Sequence, residues 1–343
     1  MLNIIKAVSV LAVCVCALAI APRADARWTF ELGIGEQGLT MFADPRFAAL
    51  DLGHVRLVLP YDVSCRPGDA QRYADTWLAA ARRAGARPLV AFGSSWRRWD
   101  LPTYRTYLRC TRAFHARYRW VHDFNPWNEA NHGSQPTYRN PKRAAGFYNA
   151  LRRVCARCNV AAGDVLDWWN LRRWVTEYKR HLRGRPRLWS MHNYYDVNFF
   201  HRWRRSGTRR LLQLTRGRLW ISETAGVVFY ARSGKVGEET AARATRWMLL
   251  LPRHSRRIKR VYAYQWQAEC RPAMWDSAWF RADGTARPAY RVVVTALARE
   301  RNLDAEAVKA LDPPLWPGAP NTCSGTQSVP QGLSITKRQL PSG

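Results

Sequence analysis

The feature that most constrains this chain is a recurrence. Short apolar runs of strand length, at 28–35, 54–60, 87–93, 120–127, 159–163, 187–192, 218–222 and 260–266, alternate with stretches of a different period. In those stretches, such as 72–84, 104–118, 143–156 and 239–250, apolar residues return about every three or four positions, as on one face of a helix. Strands joined by crossover helices pair in parallel, and eight such units predict an α/β fold, a (β/α)8 TIM barrel. The length of 343 residues suits one large domain of this kind better than several small ones.

The two ends do not share the pattern. Lys6 precedes an uninterrupted apolar run over 7–21, and Ala24-Asp25-Ala26 supplies a small-x-small cleavage pattern. That run is short for a bilayer span and fits the core of a signal peptide, so residues 1–26 are read as a leader and the mature chain is expected outside the cytoplasm. Beyond about residue 300 the chain becomes rich in Pro, Gly, Ser and Thr ("LDPPLWPGAPNTCSGTQSVPQGL"), and 301–343 is expected to be an extended tail. The barrel domain is thus placed at 27–300.

Removal of the leader leaves Cys65, Cys110, Cys155, Cys158, Cys270 and Cys323, an even set suited to an oxidising compartment. Cys155 and Cys158 are near enough to pair locally, Cys65 with Cys110 would tie two successive loop regions, and Cys323 would anchor the tail. The Cys155-Ala156-Arg157-Cys158 spacing also fits a redox motif or half a zinc site, but a zinc site wants a second close pair of ligands and none is evident. The formal net charge of +30 is spread along the chain and is mostly arginine. Such a field attracts polyanions, although basic residues without a compact tail more often make an ordinary solvated surface.

Gly33-Ile34-Gly35-Glu36-Gln37-Gly38 matches the G-x-G-x-x-G fingerprint of dinucleotide sites, with Asp62 after the second strand where a ribose-binding acid would belong. The leader and the count of strands point instead to a strand-to-loop turn at a barrel rim. A nicotinamide-dependent oxidoreductase stays as a lesser alternative, and no cofactor or metal is expected.

Barrel enzymes carry their reactive groups at the carboxyl ends of the strands. The fourth predicted strand ends in Trp127-Asn128-Glu129, and the seventh, in "RLWISETAG", delivers Glu223. Either glutamate alone would be read as a solvated loop acid. As a pair on one rim, they resemble the clan A glycoside hydrolases, retaining (β/α)8-barrel glycosidases whose acid/base glutamate follows an asparagine at strand four and whose nucleophilic glutamate ends strand seven. The resemblance spans about 28–300, and it implies Glu129 as acid/base and Glu223 as nucleophile in a hydrolase of β-linked poly- or oligosaccharides. Arg56, Asn128, Trp127, His192, Tyr194 and Trp266 complete the expected substrate-binding set. Arg56 and Tyr194 are placed to hold the charge of Glu223, Asn128 to bond a sugar 2-hydroxyl, and Trp127 and an adjacent anion to raise the pKa of Glu129.

Duller roles compete with several of these. Arg56 also suits a bridge to a core acid, and His192 a satisfied core histidine. Trp266 is read as a sugar platform, with Trp96, Trp168 and Trp169 as further faces or simple packing residues. Asp164 and Asp167 are either substrate contacts or helix caps. A non-catalytic carbohydrate or polyanion binder on the same scaffold is the alternative from a different class. A polysaccharide partner, no nucleic acid, no stable membrane anchor and a monomer are expected.

Overall fold

The computed structural model describes residues 28–97, 99–231, 234–271, 274–311 and 323. The expected leader and most of the expected tail lie outside the described residues. The chain runs β1 (Glu31–Gly35), α1 (Pro45–Leu50), β2 (His54–Pro60), α2 (Asp69–Arg83), β3 (Arg87–Gly93), α3 (Tyr104–Arg117), β4 (Asp123–Asn125) and α4 (Pro141–Val154). It continues through β5 (Asn159–Val160), β6 (Ala162–Leu166), α5 (Leu171–Arg180), β7 (Leu188–His192), α6 (Tyr194–Asn198), α7 (Gly207–Leu214) and β8 (Arg218–Thr224). Then follow β9 (Phe229–Tyr230), β10 (Gly234–Lys235), α8 (Glu238–Leu250), β11 (Ile258–Tyr264), β12 (Trp275–Asp276), α9 (Pro288–Arg301) and α10 (Ala305–Leu311).

The main sheet is parallel, in the order β5-β4-β3-β2-β1-β11-β8-β7-β6. Its two edges, β5 and β6, are successive pieces of one strand separated by Ala161, whose N–H donates to the Phe124 carbonyl of β4. The sheet therefore closes on itself as a (β/α)8 barrel, with β8 and β11 as its seventh and eighth strands. Residues β9, β10 and β12 form a small antiparallel sheet over the rim.

Strand alternation divides the side chains between two environments. Outward positions such as Val55, Leu57, Val90, Phe92, Met191, Ile221 and Val261 join the helices in one large apolar core. The inward positions are apolar at one level, where Leu89, Ala161, Leu188, Trp220 and Tyr262 form a separate cluster, and polar nearer the rim. Contacts between strands that are not neighbours in the sheet mark the interior: Asn125 donates to Ser190 at 2.5 Å, and Ser222 donates to Asp164.

Differences from the expected strand bounds have consequences for chemistry. The fifth strand runs through Leu166 instead of stopping at Gly163, which carries Asp164 into the barrel. The Gly33–Gly38 motif is structural. A Cβ on Gly33 would sit 2.7 Å from the His54 carbonyl, so close strand packing demands the glycine, and Glu36 caps the turn by accepting from the Gly38 amide at 2.7 Å. The expected tail begins with helix α10, where Leu311 accepts from the Tyr290 hydroxyl. Disulfides join Cys65 to Cys110, Cys155 to Cys158 and Cys270 to Cys323. Among the described residues no helix is long and apolar enough to cross a membrane.

Candidate active site

Glu129 and Glu223 reach the same point by different routes. Glu223 is the penultimate residue of β8, and Gly226 lets the chain turn immediately after it, since a Cβ there would lie 1.9 Å from the Ala241 carbonyl of α8. Glu129 follows the short β4 in irregular backbone, with the Asn128 amide donating to the Phe92 carbonyl of β3 at 2.7 Å. Its φ is +49°, a left-handed conformation that a side chain occupies only under constraint, and Asp164, whose carbonyl accepts from the Ala130 amide, shares the trait at +59°. One carboxylate oxygen from each glutamate and a ring nitrogen of His192 all lie within 4.8 Å of one another.

Arg56, fully buried on β2, is the hub beneath them. Its guanidinium donates to Glu223, to Asn128 Oδ1 at 2.6 Å and to Asp164 Oδ2 at 3.3 Å. Tyr194 donates its hydroxyl to Glu223 Oε1 at 2.9 Å. Because Oδ1 of Asn128 is engaged by Arg56, its Nδ2 remains as the donor of that amide. His192, also fully buried, places Nδ1 3.3 Å from Glu129 Oε1 and 3.8 Å from Glu223 Oε1, while Nε2 lies 3.4 Å from Asp164 Oδ1.

Three carboxylates thus surround two cations. Burial alone would discharge His192, but the carboxylates of Glu223 and Asp164 and its bonds to Asp164 and Glu129 win, and its pKa is pushed up to about 10. Burial pushes the Glu129 carboxyl up, yet the hydrogen bond and charge of His192, with the charges of His132 and Arg56, outweigh it and hold Glu129 below the usual carboxylate range. The expectation that Glu129 rests protonated against Trp127 is corrected accordingly: the cation beside it wins over the apolar wall. Asp164 is likewise held low by His192 and Arg56 against its burial.

Other expectations change with burial. Trp127 is wholly buried, stacked on Phe147 with its Nε1 bonded to Gln135, and Trp266 is 1% exposed, packed on Phe280 with its Nε1 donating to Asp44. Neither offers a face to a sugar ring. Arg56 and His192 touch the two glutamates but, having no exposed surface, do not reach a ligand in the cleft. Asp164 holds these two cations, and Asp167 accepts from the Tyr195 and Asp196 amides at the start of α6. Trp96 leans on Tyr73.

Residues that sequence reasoning passed over stand nearer. His132 lies 3.8 Å from Glu129 Oε2 and against the ring of Trp168, with Trp169 68% exposed beside it. Trp275 packs on Tyr194 at 4.8 Å, and Tyr264, ending β11, feels the charge of Glu223, which with burial raises its pKa. His132 was findable, three residues after Glu129 in "NEANH". Trp275 was not, because its position depends on the rim sheet. The pair of glutamates with His192 is also a donor set for a divalent ion, but the charged imidazole has no lone pair to offer and Arg56 is already bonded to Glu223. Near His115 the sulfurs of Cys155 and Cys158 are joined, which leaves no thiolate for a metal.

No protein-family model matches the sequence, nor does any curated protein. Solved structures do share its fold. A family 39 glycoside hydrolase from Bacteroides cellulosilyticus aligns with a TM-score of 0.54 at 12% identity over 81% of this chain, which spans 64% of that one. The GH5_18 protein from Streptomyces cattleya, solved with GlcNAc, gives 0.58 at 16% identity over 81% and 82% of the two chains. An intracellular xylanase from Thermoanaerobacterium saccharolyticum gives 0.56 at 11% identity over 77% and 95%.

Proposed function

We propose that the protein is a glycoside hydrolase that cleaves β-linked poly- or oligosaccharides with retention, and that it acts outside the cytoplasm. The observation that carries this is the carboxylate pair. Oxygens of Glu129 and Glu223 lie within 4.8 Å of one another. Carboxyl groups about 5–5.5 Å apart suit direct attack by one of them, whereas an inverting pair stands about 6.5–9.5 Å apart to admit a water. That glycoside hydrolases of the same fold surround the chain agrees with the reading.

The roles follow from the surroundings. Glu223, held by Arg56 and Tyr194, is the nucleophile, aimed by two donors that loosen their hold as the glycosyl ester forms. Glu129 is the acid/base. At rest the proton it must give sits on His192 Nδ1, 3.3 Å away. A sugar that expels water from the cleft weakens the ionic pair relative to the neutral one, so the proton shifts to Glu129 Oε1 and from there to the leaving oxygen. Glu129 then takes a proton from the water that releases the sugar. Asn128 Nδ2 is the donor to the 2-hydroxyl of the bound ring, and Trp168 and Trp169 supply its apolar support. The apolar run over 7–21 and the Ala24-Asp25-Ala26 pattern after it support export of the chain.

The test is turnover of aryl β-glycosides and a panel of β-glucans, xylans, mannans and galactans. Glu223→Ala should abolish activity, and azide should rescue Glu129→Ala on substrates with good leaving groups. Wild-type rates in the Glu223 variant would overturn the assignment.

A further inference from the structure

Part of the positive charge gathers at one end of the fold, while other exposed arginines, among them Arg97, Arg105, Arg139, Arg172, Arg202 and Arg204, stand on the glutamate side. In a parallel barrel each loop from a helix to the next strand lies at the end away from the strand C-termini, and so away from Glu129 and Glu223. On that far face helices close on basic residues: Arg82 and Arg83 end α2, Arg152 and Arg153 end α4, and Lys179 and Arg180 end α5. Exposed Arg183, Arg185 and Arg187 follow between α5 and β7, exposed Arg253 and Arg256 lie between α8 and β11, and exposed Lys259 is the second residue of β11. None of these last six has a carboxylate partner among the described residues. On the same face Glu177 is engaged by Arg180 and His181, and Glu31 and Asp123 by Arg260, while Asp51, Asp304 and Glu306 stand exposed.

The most exposed aromatic side chains lie at the other end. Trp99, Trp169, Tyr195, Phe199 and Phe200 all sit on segments that follow strands, on the glutamate rim. The far face shows one large exposed hydrophobic residue among those described, Leu250 at the end of α8.

We propose that the far face is a docking surface for an acidic polysaccharide, held by arginine–carboxylate contacts while the rim stays open. Arginine forks fit carboxylates in a bidentate way, and although one exposed pair contributes little, a polymer meets many of them at once. A bilayer partner would call for several apolar side chains to insert, and single-stranded nucleic acid for exposed aromatic platforms, whereas the described residues of this face offer Leu250 alone for the first, and for the second Trp28 and Trp120, both packed against the core. What remains is recognition of a hydrated polyanion by charge. The docking does not require turnover at the rim.

The experiment measures binding of the full-length protein to polygalacturonate and to the same polymer after carboxyl reduction. Affinity for polygalacturonate should fall at least about tenfold between about 50 and 200 mM NaCl, as ion release requires, and the reduced polymer should not bind. The R183Q/R185Q/R187Q variant should bind more weakly, with a salt dependence flatter by about two in log–log slope. R253Q/R256Q/K259Q, at the start of β11 and the segment before it, should do the same, so that misfolding of one variant leaves the other to decide. Glu223→Gln should bind as the wild type does, which separates docking from the chemistry of the rim. Salt-insensitive binding, equal binding of the reduced polymer, wild-type affinity in folded triple variants, or tighter retention on duplex DNA or phosphatidylglycerol vesicles would each overturn the proposal.

Discussion

His192 controls where the proton sits, and replacing it by glutamine should move the pKa of Glu129 upward. With His192 charged, Glu129, Asp164 and Glu223 face two cations. Without it, three carboxylates share Arg56 alone, and the partly exposed Glu129, which has no contact with Arg56 comparable to those of the other two, is the one to take up a proton. At 3.3 Å the lost attraction is about 5 kcal/mol for an effective dielectric constant near 20, an upper bound of three to four pKa units. Glu129 keeps 22% of its side chain in contact with solvent, and the glutamine amide restores a neutral hydrogen bond, so the rise should fall well short of that bound. Titration of carboxyl carbons by NMR in protein labelled at glutamate, with Glu129→Gln to assign the signal, reads this directly. A Glu129 pKa within about 0.3 units of the wild type would refute the reasoning, whatever the protein hydrolyses.

The same histidine gives a stability signature. Its folded pKa, about 10, exceeds its ordinary value of 6.5, so its contribution is complete below 6.5 and is lost as pH rises through 10. The difference in melting temperature between wild type and His192→Gln should therefore shrink over that interval, and a constant difference would count against a charged imidazole. The two tryptophan classes should separate cleanly. Trp266→Ala should cost about 3–5 kcal/mol in chemical denaturation because it empties the core, whereas Trp169→Ala should change stability by under about 0.5 kcal/mol and instead raise KM. Replacing Cys65 and Cys110 by alanine should cost up to about 4 kcal/mol, and the Cys155 and Cys158 pair about half that, since the bonds span 45 and 3 residues. Equal losses for the two pairs would argue against loop closure as the source.

Much of this was legible in order along the chain. Short apolar runs and helical repeats gave the strands and helices, because burial leaves a local pattern that sequence records. The glutamates at the ends of strands four and seven were legible for a related reason: a parallel barrel sends every strand's carboxyl end to one rim. The failures were of another kind. Trp127 and Trp266 have the composition of sugar platforms, but whether a ring faces the cleft or the core depends on which element covers it, here Phe147 of α4 and Phe280 after β12. Asp164 was read as a loop residue because a strand's end is set by pairing with β7, which no local pattern shows.

The sequence by itself determined the alternation, the closed parallel barrel and the two acids that share its rim, since each follows from periodicity and connection rules. Only the tertiary structure decided the charge on those acids. His192 comes from one strand, Arg56 from another and Asp164 from a third, and the proton's position depends on distances of 3–4 Å among groups that are far apart in the chain. Electrostatic energy is set by separation in space and by the exclusion of water, and neither is written in the order of residues.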